Sequence, residues 1–133
     1  MVKGLEYIKV VNLFYSFLES EFSFKKMNDV VNGNAFYDVR YKSSERVISI
    51  SYENIEDWLE VIVFQLQNGI MPDYDDKSKT YHLNQLNSSI MLKVAKVEIS
   101  SNAQYFSKYK PKDDLERKLL KGARELRLFL KYF

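Results

Sequence analysis

The chain contains no cysteine and only one histidine, His82. The lack of cysteine excludes disulfides and thiolate chemistry and suits a reducing cytoplasm, where we expect the protein to be found. A zinc site of the usual kind lacks its ligands, and His82 is more simply explained as a partly exposed loop residue than as a catalytic group. No stretch reaches the ~18 apolar residues of a membrane-spanning helix. The first residues do not resemble a signal peptide, so we expect no membrane association.

Glycine and proline are also scarce, with four and two residues, which leaves little room for low-complexity segments or long linkers. By contrast, 46% of the residues are hydrophobic and 15% are aromatic, which is too apolar for a disordered chain. A chain of 133 residues has the common size of one domain, and such a domain buries roughly two-thirds of its unfolded surface. We therefore expect residues 1–133 to form a single domain.

Acids and bases are separated along the chain. Residues 1–46 carry seven bases and six acids, residues 47–76 carry seven acids and no base, and residues 77–133 carry thirteen bases and five acids. The near-neutral total of +2 hides this separation. Charge asymmetry of this kind concerns partners and electrostatic steering rather than fold.

Apolar residues at every second position predict a run of strands. The predicted strands cover residues 36–42, 46–53 and 58–66. Their connections, at residues 42–45 and 54–57, are short, so the strands should form an antiparallel meander. Residues 22–28 are a candidate fourth strand at the sheet edge, whereas residues 28–34 and 67–80 should be loops.

Helical spacing marks both ends of the chain. It predicts a helix over residues 5–20 and another over residues 83–98, followed by a connector of undefined form. Asp113, with Glu116 three residues later, should begin the last helix as a capping box. The apolar stripe of that helix is Leu115, Leu119, Ala123, Leu126, Leu130 and Phe133. The predicted fold class is α+β, an antiparallel meander sheet of three to four strands packed by an N-terminal helix and two C-terminal helices.

The acidic segment holds the candidate binding site, because Trp and Tyr among charges are common anchors of protein interfaces. We predict that a protein partner contacts Glu53, Glu56, Asp57, Trp58, Asp73, Tyr74, Asp75 and Asp76. The simpler alternative is a charged hairpin that discourages edge-to-edge aggregation. Acid–base chemistry on a sugar would need two carboxylates facing each other across a cleft, which turn residues of one hairpin rarely do.

The aspartates of residues 73–76 do not match a calcium-binding loop. Counted from Asp73, the fifth, sixth and twelfth positions hold Lys77, Ser78 and Asn84. The pattern needs Asp or Asn, then Gly, then Glu at these positions. No glycine-rich phosphate loop is present either. The sequence thus predicts no metal, no cofactor and no catalytic residue.

The last third of the chain offers nucleic acid as a less favoured partner. Residues 105–112 interleave aromatic rings with bases, a composition that suits single-stranded nucleic acid. The outer face of an amphipathic helix is often basic without binding anything, however, and the acidic segment would repel a phosphate backbone unless the two lie on opposite sides. A third alternative is a ligand-binding or small hydrolytic domain. It requires a deep pocket lined by several tyrosines with a carboxylate inside.

Several apolar motifs stand in a recognisable order. Phe22-Ser-Phe24 follows the N-terminal helix, successive strands cover residues 36–41, 47–52 and 59–63, and residues 123–130 belong to a closing helix. This layout resembles the small immunity proteins that accompany bacterial polymorphic and contact-dependent toxins. The resemblance implies tight binding to a toxin domain, with acidic residues blocking a basic nuclease site. It also implies an inhibitor without catalytic residues of its own.

Overall fold

Helices pack on one face of an antiparallel sheet in the computed structural model of the chain, which describes residues 2–84 and 90–132. In these ranges the helices are α1 (Gly4–Phe14), α2 (Phe17–Phe22), α3 (Lys96–Phe106) and α4 (Asp114–Tyr132). The strands are β1 (Lys25–Lys26), β2 (Val30–Asn32), β3 (Phe36–Lys42), β4 (Arg46–Glu53), β5 (Trp58–Gln65) and β6 (Thr80–His82). The α+β prediction, with its N-terminal helix and two C-terminal helices, is confirmed.

The sheet has six strands within the described residues, more than the predicted three or four. Its order is β1-β3-β4-β5-β6, with β2 also paired to β3, and every pairing is antiparallel. The central meander of β3, β4 and β5 confirms the prediction from alternation and short turns. Strands β2 and β6 have only three residues each, too few for period-two alternation to be recognised.

One face of the sheet packs against the helices. Alternate residues of β3, β4 and β5 lie on this face and form the main core with the apolar stripe of α4. Buried tyrosine hydroxyls cross this core to main-chain carbonyls: Tyr7 donates to Ile50 O and Tyr15 donates to Leu119 O, each at 2.9 Å. A buried hydroxyl needs such a partner. These tyrosines therefore connect the N-terminal helix to β4 and to α4.

The opposite face of the sheet is only partly apolar. Next to Met27 it has a small buried cluster of Val47, Ile62, Phe64 and Leu66. Asp38 is also buried there and accepts hydrogen bonds from Arg40 Nε at 2.7 Å and from Ser49 Oγ at 2.6 Å. A buried carboxylate is tolerated only with partners of this kind. Beyond the cluster, this second face presents mainly polar and charged side chains, with Trp58 among them.

The predicted helix over residues 5–20 is interrupted. Tyr15 and Ser16 form a turn that separates α1 from α2. The break allows Phe17 and Leu18 to enter the core together with Tyr15, and all three are fully buried. The apolar spacing was therefore a correct guide to burial but not to helix continuity.

The predicted helix over residues 83–98 is wrong at its C-terminal end. Ala95 has an extended backbone, with φ −68° and ψ 147°, and α3 begins at Lys96 and continues into the segment that we predicted as a connector. Val97 shares the apolar spacing but is 74% exposed, so the spacing there does not mark a buried stripe. Residues 85–89 of that prediction lie outside the described residues.

The last helix begins as predicted. Asp113 Oδ1 accepts a hydrogen bond from the Glu116 amide at 2.9 Å, and the Glu116 carboxylate accepts one from the Lys112 amide at 3.3 Å. Its buried stripe includes Leu119, Ala123, Leu126 and Leu130. Of the helices in residues 2–84 and 90–132, none is both long enough and apolar enough to cross a membrane.

Candidate functional site

The β4–β5 turn sets the geometry of the candidate site. Residues 54–57 form this turn, and Asp57 adopts a left-handed φ of 51°, so that Glu53 pairs directly with Trp58. Because side chains alternate along a strand, Trp58 and Glu60 lie on the sheet face away from the helices, on the same side as Glu53. Two acids therefore flank one indole ring.

Glu60 holds two exposed aromatic rings. Its Oε1 accepts a hydrogen bond from Trp58 Nε1 at 2.9 Å, and its Oε2 accepts one from the Tyr74 hydroxyl at 3.4 Å. The ring of Tyr74 also meets His82 edge-on, with centroids 5.8 Å apart. Trp58 is 56% exposed and Tyr74 is 55% exposed. We call Glu53, Trp58, Glu60 and Tyr74 the acidic–aromatic patch.

The patch carries two glutamates, Glu53 and Glu60, that form no ion pair within the described part of the chain. Partial burial and the negative charges of Glu60 and Asp75 raise the pKa of Tyr74. At neutral pH the Tyr74 hydroxyl therefore keeps its proton and remains a hydrogen-bond donor.

Asp57 belongs to a different contact. Its Oδ1 accepts a hydrogen bond from the Tyr52 hydroxyl at 2.5 Å, and its Oδ2 lies 3.6 Å from Lys118 Nζ of α4. The hydrogen bond from Tyr52 and the charge of Lys118 lower the pKa of Asp57. This carboxylate joins the β4–β5 turn to α4, on the helix side of the sheet.

Asp76 organises the loop that precedes β6. Its Oδ1 accepts hydrogen bonds from the Ser78 amide at 3.1 Å and the Ser78 hydroxyl at 2.6 Å, and its Oδ2 lies 3.8 Å from Lys79 Nζ. The Asp76 amide donates to the Asp73 carbonyl at 3.0 Å. These turn contacts define the loop that brings Tyr74 over β5.

The structure brings part of the predicted contact set together. Trp58 and Tyr74 meet at Glu60, and Glu53 is the cross-strand partner of Trp58. The remaining predicted residues lie outside the patch: Glu56, Asp57, Asp73, Asp75 and Asp76. Glu60 is missing from the predicted set, although its spacing of two from Trp58 on a strand places both side chains on one face.

The bases of α4 are largely matched by acids. Arg127 makes hydrogen bonds of 2.8 and 2.9 Å to the two carboxylate oxygens of Glu21, and Lys121 Nζ lies 3.9 Å from Glu125. Lys118 is paired with Asp57, as described above. The surface of this helix is therefore mixed in charge rather than a continuous basic strip, which weakens the case for a phosphate-binding face.

The aromatic rings of residues 105–112 already contact other side chains of the protein. Tyr109 packs against Phe14 with ring centroids 5.2 Å apart. Lys108 Nζ lies 4.6 Å from the centroid of the Tyr105 ring, and Arg127 Cζ lies 4.0 Å from the same centroid. Nucleobases that stack on these rings would have to displace existing cation–π contacts.

A cleft of about 330 Å³ opens beside the patch, between β5 and α4. Its lining includes Val61 and Gly122 together with the polar side chains of Glu60, His82 and Glu125, and burial raises the pKa of Glu125. No tyrosine of the described residues lines it, so it differs from the pocket that the ligand-binding alternative requires. Within residues 2–84 and 90–132, no group of three or more His, Asp or Glu side chains could hold a metal ion.

Similarity to known proteins adds no assignment for the site. No protein-family model, no curated protein and no solved structure matches the chain. The functional argument therefore depends on the residues of this chain, above all on the acidic–aromatic patch.

Proposed function

We propose that this chain is a non-enzymatic protein-binding module of the bacterial cytoplasm, and that it acts as an immunity-type inhibitor of a cognate toxin domain. The observation that supports the proposal most directly is the presentation of Trp58 and Tyr74. Each ring is more than half exposed, and each is hydrogen-bonded to Glu60. The proposed partner surface is basic and carries groups that pack on these two rings.

Exposing the apolar surface of an aromatic ring to water is unfavourable in free energy, and a partner that covers the ring removes this penalty. Trp and Tyr are enriched among the residues that contribute most to protein interfaces, because each buries a large area with few rotatable bonds. In this chain Glu60 already restrains both rings, so Trp58 and Tyr74 would lose little further side-chain entropy when a partner docks. A restrained aromatic pair of this kind favours a protein-binding role over a merely solvated hairpin.

The unneutralised acids support a basic partner. Glu53 and Glu60 have no cation of the chain beside them among the described residues, whereas Asp57 and Asp76 do. Negative charge left free on one surface raises the rate at which a positively charged protein finds that surface. The patch therefore combines electrostatic steering with aromatic anchors.

Charge reversal with a matched control tests the proposal. The site variant is Glu53→Lys/Glu60→Lys, and the control is Glu19→Lys/Glu45→Lys, which changes the net charge equally at two exposed glutamates outside the patch. Each protein is used to capture partners from untreated and from nuclease-treated lysate of its own source. We expect one basic protein to be retained by the wild type and the control and lost from the site variant.

The captured partner then allows the inhibitory role to be tested directly. Its gene is expressed in bacteria with each of the three proteins, and survival is measured. We expect the wild type and the control to protect the cells and the site variant to fail. A partner that is harmless when expressed alone contradicts the inhibitor role, and capture that nuclease treatment abolishes indicates nucleic acid instead.

A further inference from the structure

Trp58 has a glutamate on the neighbouring strand and another two residues further along its own strand, and all three residues lie on one sheet face. Glu53 stands directly opposite Trp58 on β4, and Glu60 follows two residues later on β5. Diagonal neighbours on the same face of an antiparallel pair are separated by about 7–8 Å. The Glu60 carboxylate lies at the N–H edge of the indole, and the strand register places Glu53 beside Trp58 on the neighbouring strand.

The Glu60 carboxylate retains capacity for a charged donor. Among the described residues, its two oxygens accept hydrogen bonds only from Trp58 Nε1 and the Tyr74 hydroxyl, both of which are neutral groups. An ionised carboxylate offers about four acceptor positions. Glu53 is likewise outside every ion pair among the described residues.

We propose that the acidic–aromatic patch binds an arginine side chain of the protein partner, with the guanidinium lying on Trp58 between Glu53 and Glu60 and beside the ring of Tyr74. This inference rests on the proposed function and specifies the chemistry of the partner at its point of contact. The exposed indole supplies an aromatic face, and the two carboxylates supply acceptors at its sides.

Arginine fits this arrangement better than lysine. The guanidinium is planar, so it stacks on an aromatic ring, and its five N–H donors can reach carboxylates on two sides at once. The lysine ammonium is a compact, strongly hydrated charge that gains less from an aromatic face. The patch should therefore discriminate between two side chains of equal charge.

Trp58 is the only tryptophan of the chain, so its fluorescence reports on the patch alone. The probes are tetra-arginine amide and tetra-lysine amide, titrated at about 0.15 M ionic strength, where the Debye length is about 8 Å. We expect saturable changes in fluorescence, with tetra-arginine binding at least ~3-fold more tightly than tetra-lysine. Equal affinities for the two peptides would overturn the inference.

Two variants separate the patch from the general charge of the protein. Glu53→Gln/Glu60→Gln should weaken tetra-arginine binding by about tenfold or more. Glu19→Gln/Glu45→Gln, which removes the same charge outside the patch, should change it by less than ~2-fold, because screening limits distant charges. Equal weakening by both pairs would overturn the inference.

Tyr74→Ala provides a second variant at an exposed side chain, where loss of the fold is not expected. It removes one wall of the proposed site and should reduce the preference for tetra-arginine over tetra-lysine. An unchanged preference would contradict the role of this ring. Circular dichroism of each variant checks that the fold is retained.

Failure of this inference is distinguishable from failure of the proposed function. If the peptides bind equally but captured partner is still lost on charge reversal of the patch, the inhibitor proposal stands and the arginine contact is wrong. If tetra-arginine binds selectively but no inhibited partner exists, the contact chemistry stands and the inhibitor proposal is wrong.

Discussion

The hydroxyl of Tyr15 occupies the space beside Gly122 that any larger residue would need. A β-carbon at residue 122 would lie 2.7 Å from Tyr15 Oη but 4.0 Å from Tyr15 Cζ, and 3.4 Å from Val61 Cγ2. The same hydroxyl donates a hydrogen bond to the Leu119 carbonyl one turn earlier on α4. Glycine thus permits close contact between the end of α1 and the last helix, at a position where glycine weakens a helix by up to ~1 kcal/mol relative to alanine.

Gly122→Ala should therefore destabilise the wild type and not the Tyr15→Phe variant. In the wild type the new methyl group meets the hydroxyl, and overpacking of this kind costs about 1–3 kcal/mol. Without the hydroxyl the nearest ring atom is at normal contact distance, so the better helix propensity of alanine should make the substitution neutral or stabilising. Urea denaturation of the wild type, the two single variants and the double variant measures the coupling energy between residues 15 and 122. Equal effects of Gly122→Ala in both backgrounds would contradict the steric explanation.

Glu125→Gln should stabilise the protein at pH 7. Burial raises the pKa of Glu125 above its ordinary value of 4.5, so the ionised form is disfavoured in the folded state. The stability that the protonated carboxyl supports is present below pH 4.5 and is lost as the pH rises through the raised pKa. The gain from the substitution should be seen in the melting temperature at pH 7 and should disappear at pH 3.5. A loss of stability at pH 7 would indicate that the contact with Lys121 dominates instead.

Glu21→Gln should show the opposite pH dependence. The hydrogen bonds and charge of Arg127 lower the pKa of Glu21 below 4.5, so the carboxylate stabilises the folded state above that pH and stops doing so as the pH falls through the lowered value. We expect a loss of about 1 kcal/mol or less at pH 7, because the pair is partly exposed. The difference in unfolding free energy between the two proteins should shrink at pH 2.5, and a constant difference would contradict the linkage.

Asp38→Ala should destabilise the fold much more than Asp75→Ala. Asp38 is 3% exposed, and its loss leaves Ser49 and Arg40 without their acceptor on the sheet face. Leaving a buried hydrogen-bond partner such as Ser49 unsatisfied costs about 1–3 kcal/mol, whereas an exposed substitution typically changes stability by less than ~0.5 kcal/mol. Chemical denaturation of both variants tests this contrast, and similar midpoints would show that the Asp38 network contributes little.

Trp58→Ala should separate binding from stability. The side chain is 56% exposed and lies outside both buried clusters, so we expect an unfolding free energy within about 0.5 kcal/mol of the wild type. Loss of a central aromatic anchor should weaken partner binding by about 2 kcal/mol or more. Calorimetry of the partner complex measures the affinity, and a variant that binds normally would contradict the role of Trp58 as an anchor.

The central sheet could be predicted because its signals are local. Apolar and polar residues alternate over residues 37–42 and 48–53, and the connections of three and four residues leave no room for a crossover. The short strands and the helix break could not be predicted in this way. Helix α1 ends at Tyr15, whose side chain enters a core formed with α4. The position of this helix end therefore depends on residues far away in the sequence.

The candidate site, too, could be predicted only where its signals are local. The acids and aromatic residues of the sequence indicated residues 53–76. The two-residue period of a strand places Trp58 and Glu60 on one face. The meeting of Tyr74 with Glu60 depends on a loop that returns over β5, and the pairing of Asp57 with Lys118 depends on where α4 packs. Neither contact has a signal in the spacing of residues.

The bond from Tyr15 to Leu119 joins residues 104 positions apart, which bears on how the chain folds during synthesis. A ribosome releases α1 and the strands long before α4 leaves the exit tunnel. Until then the apolar face of the sheet has no cover from the last helix, and contacts of such long sequence separation form late. The nascent chain therefore exposes the apolar face of its sheet, to which chaperones can bind, until α4 is released and covers that face.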